Sequence, residues 1–180
     1  MKYLIASDIH GSAFYCAQLL EALHREGVDT LLLLGDLLYH GPRNDLPQGY
    51  APKEVAAMLN GVQQRVFCVR GNCEAEVDQL MLRFPVLGDY CLLEAAGKLV
   101  FATHGHQYNL QTPPALRPGD VLLHGHTHVP AKDSSAGFWY LNPGSVAIPK
   151  EGSAHSYMTL ASGTFRWKDL SGREYDSLTL

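Results

Sequence analysis

The fold of this chain turns on Thr30-Leu31-Leu32-Leu33-Leu34-Gly35-Asp36. Side chains of an extended segment alternate between two faces, so four consecutive leucines suit a strand buried on both. Strands of that kind belong to parallel sheets covered by other layers. The run stops at a flexible glycine and a carboxylate, and in α/β sheets ligands gather at the carboxyl ends of the strands. A turn would account for Asp36 by itself, but the units on either side repeat the arrangement.

On the amino-terminal side, Tyr3 to Ala6 reads as a buried strand ending in Ser7-Asp8-Ile9-His10-Gly11. Asp8 and His10 are two apart and can point the same way from the strand end. Ser12 can cap a helix whose Cys16, Leu19, Leu20 and Leu23 recur at the helical period and which Gly27 closes. On the carboxyl side, a loop rich in proline and glycine runs from His40. Its polar residues His40 and Arg43 read as loop surface rather than as ligand contacts. Pro52 suits the first turn of a helix with Val55, Met58, Leu59 and Val62 on its core face. A third strand, Arg65 to Val69, ends in Arg70-Gly71-Asn72-Cys73-Glu74, where Asn72 offers an amide oxygen. The next helix is expected to turn Val77, Leu80, Met81 and Phe84 inward and to stop at Pro85.

The second half is strand-rich. Tyr90 to Glu94 and Lys98 to Thr103 read as a hairpin that delivers His104-Gly105-His106. Asp120 to Leu123 leads into His124-Gly125-His126-Thr127-His128, three imidazoles in five residues. Neutral imidazole is the commonest metal ligand, and Gly125 allows close approach. Phe138 to Leu141 is a further strand, closed by Asn142-Pro143-Gly144-Ser145. Ser156 to Leu160 and Thr164 to Lys168 form a last hairpin, with Tyr175 to Leu180 a weak edge strand. The economical architecture is two sheets packed face to face with helices on the outer faces, one domain spanning 1–180.

Composition narrows the function. The chain has 180 residues, 46% of them apolar and 18% charged, and a formal charge of −4. That balance argues against a binder of long nucleic acid, which usually carries a basic excess. No apolar run approaches the ~20 residues that span a bilayer. The start reaches a carboxylate too soon for a signal peptide, so a cytoplasmic protein is expected. Four cysteines, with no Cys-x-x-Cys pair, indicate neither a zinc knuckle nor a redox motif. Cys16, Cys68 and Cys91 read as small core residues; Cys73 stands among the strand-end ligands.

Those strand-end groups are Asp8, His10, Asp36, Asn72, His104, His126 and His128. Seven nitrogen and oxygen donors without a thiolate exceed one tetrahedral site and favour two harder divalent ions. Two ions about 3.5–4 Å apart form the usual clamp for displacement at phosphorus. Asp8-Ile9-His10, Gly35-Asp36, Gly71-Asn72, His104-Gly105-His106 and Gly125-His126-Thr127-His128 stand in the order of the calcineurin-like metallophosphoesterases, which this chain resembles over nearly its whole length. Residues 36–44, 70–73 and 142–145 look more narrowly like the small bacterial YfcE-type phosphodiesterases. The resemblance implies a four-layer αββα sandwich and hydrolysis of small phosphodiesters through a metal-activated water or hydroxide. It implies that Asp8, His10 and His128 hold one ion, that Asn72, His104 and His126 hold the other, and that Asp36 bridges both. Manganese is the ion such enzymes typically use. A homo-oligomer is compatible with the sequence, and no membrane partner is expected.

One position departs from the family pattern. Many members carry histidine after the Gly-Asn pair, as a proton donor to the leaving group, where this chain has Cys73. A thiol of ordinary pKa about 8.5 carries no positive charge and is a different acid. Activity should survive for esters with good leaving groups. The same fold also serves as a retromer scaffold subunit, and a phosphomonoesterase or nuclease is a further alternative. The complete seven-ligand set argues against a scaffold.

Overall fold

A computed structural model describes residues 1–180. The amino-terminal half alternates strand and helix. It contains β1 (Tyr3–Ala6), α1 (Ala13–Arg25), β2 (Thr30–Leu33), α2 (Pro52–Gly61), a 3-10 turn (Gln63–Arg65), β3 (Val66–Cys68) and α3 (Glu76–Met81). The other half is all strand: β4 (Tyr90–Ala95), β5 (Lys98–Thr103), β6 (Val121–His124), β7 (Ala131–Asp133), β8 (Trp139–Asn142), β9 (Ser156–Ala161), β10 (Thr164–Asp169) and β11 (Glu174–Thr179). No helix is long and apolar enough to cross a membrane.

The strands form two mixed sheets, ordered β11-β10-β9-β1-β2-β3 and β4-β5-β6-β8-β7. β1, β2 and β3 run parallel, as do β5, β6 and β8, so the carboxyl ends of these six strands reach one rim. Every residue of β2 is buried, as its leucine run requires. Leu31 and Leu33 join Leu4 and Ala6 under α1 and α2. Leu32 and Leu34 face the other way, with Ile5, into the layer between the sheets, where they meet Val100, Val121, Leu123, Leu141, Met158 and Trp167. One strand thus serves two cores, which fixes its register on both faces.

Helix ends follow their local chemistry. The Ser12 hydroxyl accepts from Tyr15 N at 3.1 Å, capping α1, and Pro52 opens α2 without wasting a donor. Both long helices cover the six-stranded sheet. Across the five-stranded sheet no helix forms; the segment after His104 instead sets Tyr108 edge-on to Phe101, which stacks on Tyr90.

Two expectations change. In α3, Val77 is 62% exposed, Leu80 85% and Met81 43%; only Phe84, beyond the helix, is buried. The helix ends after six residues, and Leu82, Phe84 and Val86 fill the core that the helix was expected to reach. Cys16 is buried, whereas Cys68 and Cys91 are half-buried and pack at the margins of the two cores. β7 had no signal in the sequence; three residues long, it pairs only with β8 at the sheet edge.

Candidate metal centre

The seven strand-end groups meet on the rim between the two sheets. Five of them adopt left-handed backbone: Asp8 (φ 61°), His10 (48°), Asp36 (56°), His126 (67°) and His128 (63°). Such φ values cost about 1–2 kcal/mol for an L residue, least for short polar ones, and persist only where neighbouring structure enforces them. Here Asp8 N donates to Gly35 O at 3.1 Å and His10 N to Asp36 O at 2.9 Å, lacing the first two strand ends together.

The side chains fall into two trios. Asp8 Oδ1 lies 3.5 Å from His10 Nε2 and 3.3 Å from His128 Nε2, and the two imidazoles are 3.3 Å apart. His104 Nε2 lies 3.0 Å from Asn72 Oδ1 and 3.2 Å from His126 Nδ1. Asp36 Oδ2 stands between the trios, 3.7 Å from His10 Nε2 and 3.5 Å from His104 Nε2.

Three rings are oriented by carbonyls, which can only accept. His10 Nδ1 donates to Tyr39 O at 2.8 Å, His104 Nδ1 to Leu34 O at 2.6 Å, and His128 Nδ1 to Ile148 O at 2.6 Å. In each neutral ring the Nε2 lone pair therefore points inward, as a metal ligand requires. Asp8 Oδ1 is buried and has no hydrogen-bond partner, although imidazole nitrogens surround it. An orphaned carboxylate oxygen among converging lone pairs is costly unless a cation sits there. The donor set suits divalent metal.

Electrostatics agree. Burial would raise the Asp8 carboxyl, but the neighbouring imidazoles of His10 and His128 outweigh it and hold Asp8 well below the usual range. Asp36 is lowered in the same way, burial being overcome by His104. Burial lowers His104, yet the Asp36 hydrogen bond and the Asp8 charge lift it to about 9. His126 goes the other way, to about 4, through burial and the charge on His104.

Supporting residues complete the centre. Glu74 accepts from the backbone N–H groups of Asp36 (2.8 Å), Leu37 (2.7 Å) and Gly71 (2.6 Å), clamping the ends of β2 and β3. Asn142 donates to Gly125 O at 2.9 Å, and the Ser145 hydroxyl donates to Asp8 O at 2.9 Å. The 142–145 motif thus fixes ligand loops from both sheets. Gly71 and Gly125 have no room for a Cβ, which would strike Asp36 Oδ1 and Ser7 Oγ respectively. Cys73 N donates to Asp36 Oδ1 at 2.9 Å, so the position beside Asn72 helps to hold Asp36 through its backbone. Burial pushes the Cys73 thiol up, and the Asp36 carboxylate pushes it further, so the thiol stays neutral.

A polar cavity of about 430 Å³ opens onto His10, Asp36, Asn72, His126 and His128, with Cys73 on its wall and Arg43 and Lys150 at its mouth. Arg43 is exposed in its loop, as expected, and also lines this cavity. Lys150 carried no signal in the sequence. His40 is turned away, its Nδ1 3.4 Å from the Tyr50 hydroxyl. His106 lines a neighbouring cavity with His124, which stacks on Tyr140 at 4.5 Å. Glu74 and Asn142 were missed as supports, although each stood inside a motif already singled out.

Parallel strands from two packed sheets, ending in paired trios of imidazole and oxygen donors, define a metal-dependent phosphoesterase. The chain belongs to the calcineurin-like phosphoesterase superfamily, whose domain model matches residues 1–164. Among curated proteins it is similar to phosphodiesterase YfcE of Escherichia coli strain K12, with 46% identity over 157 residues, 87% of this chain and 85% of that one. The solved structure of YfcE, described as a phosphoesterase from E. coli, superposes with a TM-score of 0.95 at 41% identity, covering 99% of both chains. The probable metallophosphoesterase YsnB of Bacillus subtilis strain 168 is 26% identical over 189 aligned positions, 99% of this chain and 96% of that one. Divalent metal is the cofactor the family implies, and groups such as Asp8, His10 and His128, with ligand atoms within 4.8 Å of one another, fit it.

Proposed function

We propose that the chain is a single-domain phosphodiesterase, residues 1–180, that hydrolyses small phosphodiesters at a pair of divalent ions, with manganese preferred. The observation that carries this reading is Asp36 Oδ2, 3.7 Å from one histidine of the first trio and 3.5 Å from one of the second. Asp8, His10 and His128 would hold one ion and Asn72, His104 and His126 the other, with Asp36 shared. Bound there, the ions supply Lewis acidity at the phosphoryl oxygens and lower the pKa of a water.

The protein's own groups then do the following. The carbonyls of Tyr39, Leu34 and Ile148 hold His10, His104 and His128 through Nδ1 and leave each Nε2 aimed inward. Glu74 holds the loop of Asp36 rigid, so little reorganisation is needed as charge develops. Arg43 and Lys150 give the mouth of the cavity the positive charge that draws an anionic ester. Cys73, a neutral thiol, brings no cationic acid to the leaving group, which favours diesters whose alcohol departs readily. The likeness to a protein named phosphodiesterase points the same way. Four unpaired cysteines suit the reducing cytoplasm.

The test is to strip the protein of metal and restore it with one ion at a time against a panel of mono- and diesters. Manganese should restore diester hydrolysis and magnesium much less, because four imidazoles suit manganese better than strongly hydrated magnesium. Equal rescue by both at matched occupancy, or faster turnover of monoesters than of diesters, would count against this reading.

A further inference from the structure

Two of the three α3 side chains that fail to enter the core stand together, while Leu80 lies apart. Val77 and Met81 form one wall of an apolar cleft of about 430 Å³, and Leu38, Tyr39 and Tyr50 form the other. Val77 is 62% exposed, Met81 43% and Tyr39 42%. Nothing in the fold requires these groups to stand together in water, and a cluster of exposed apolar side chains beside a polar site marks a place where a ligand is bound.

Cys73 is the wall common to this cleft and to the polar cavity of the metal centre. Whatever occupies the cleft therefore adjoins whatever is held by Asp36 and His10. Tyr39 ties the two together from the other side: its carbonyl orients His10 at 2.8 Å. The cleft is also preformed. The ring of His40 packs edge-on to Tyr39 at 4.8 Å and to Tyr50 at 5.2 Å. The far end of α3 is pinned to α2 by Asn60, which donates to Met81 O and accepts from Arg83 N, both at 2.8 Å.

We propose that this cleft receives one ester arm of the substrate, and that the substrates are phosphodiesters with at least one aryl or extended alkyl arm. This rests on the phosphodiesterase reading and names the substrate class for it. The small neutral thiol of Cys73 suits the position. It separates the two cavities without placing a charged ring against an apolar arm. Lys53 and Asp78 also line the cleft, whose lining is otherwise mostly apolar.

The test uses phosphinates, whose phosphorus–carbon bonds cannot be hydrolysed, on the zinc-loaded protein. With methyl-¹³C methionine the chain gives four signals, from Met1, Met58, Met81 and Met158. Diphenylphosphinate should shift the Met81 signal and leave Met158, which lies buried between the sheets, in place. Dimethylphosphinate should shift neither. As inhibitors of bis(p-nitrophenyl) phosphate hydrolysis, the diphenyl compound should bind about tenfold or more tightly than the dimethyl one, the order of discrimination apolar pockets give. In Val77→Glu and Met81→Glu that ratio should fall toward one. A Met81 signal unmoved by diphenylphosphinate overturns the assignment, whether or not diesters are hydrolysed. So does a variant that splits an oligomer, seen by light scattering, without changing the ratio, because a second copy of the chain then fills the cleft. Failure to hydrolyse any diester while Met81 still responds would count against the activity and leave the cleft assigned as a site for apolar phosphorus anions.

Discussion

At the scale of single residues, the centre depends on groups that hold ligands as much as on the ligands. Glu74→Ala would leave the N–H groups of Asp36, Leu37 and Gly71 without their acceptor. Each buried orphan costs about 1–3 kcal/mol, so the melting temperature should fall and metal should bind more weakly, although no ligand has been removed. A variant that melts and binds metal like the parent would remove Glu74 from the scheme. Cys73 is a different case, because its hold on Asp36 runs through backbone. Cys73→Ser should keep metal content. Cys73→His should help alkyl diesters with poor leaving groups most, by up to about 10²-fold if the imidazole is well aimed, and nitrophenyl esters little. A uniform loss of rate with a lowered melting temperature would instead mean that the position only packs. The groups that meet on the rim were legible in the sequence as candidates, because Asp and His beside glycine at strand ends is chemistry written in residue types. The left-handed backbone of Asp8, His10, Asp36, His126 and His128 was not legible, since φ there is imposed by partners far along the chain.

Elements show where pattern and packing part. The leucines of β2 were readable because burial on both faces leaves no alternative period. The helix at Glu76–Met81 was readable as a helix but not in its facing: the same apolar spacing serves a core or a ligand cleft, and only the neighbours decide. β7 is too short and too polar to announce itself. Contacts between elements are equally silent in sequence, and one gives a pH dependence. Glu26, at the end of α1, accepts from Lys168 Nζ of β10 at 2.8 Å and from the Tyr157 hydroxyl of β9 at 2.8 Å. Burial raises its carboxyl, but the Lys168 and Tyr157 hydrogen bonds win and hold it below the ordinary 4.5. A carboxyl depressed in the folded state adds stability above its unfolded value, and that stability is lost as pH falls through the folded value. Glu26→Gln should therefore lower the melting temperature at neutral pH. The gap to the parent should close on acidification below pH 4.5. A gap that stays constant down to the acid transition would show that the Glu26 contacts act by shape alone.

Over the whole molecule, the two cores share β1 and β2 of the six-stranded sheet as their link, and the division of labour follows. The six-stranded sheet, backed by helices, supplies Asp8, His10, Asp36 and Asn72. The five-stranded sheet supplies His104, His126 and His128. Neither half can build either trio alone: the first needs Asp8 and His10 from one sheet and His128 from the other, and the second needs Asn72 opposite His104 and His126. Metal binding should accordingly stabilise the sandwich against separation of its sheets, by an amount that grows with metal concentration. The most direct test is to titrate manganese into the metal-stripped protein and follow bound metal and diester hydrolysis together, for the parent and for Asp36→Asn. Two ions per chain should bind in the parent, with activity rising to its plateau only as the second site fills, and Asp36→Asn should fold, bind less metal and lose turnover. Full activity at one ion per chain, or an Asp36→Asn protein with normal occupancy and rate, would contradict the two-ion account.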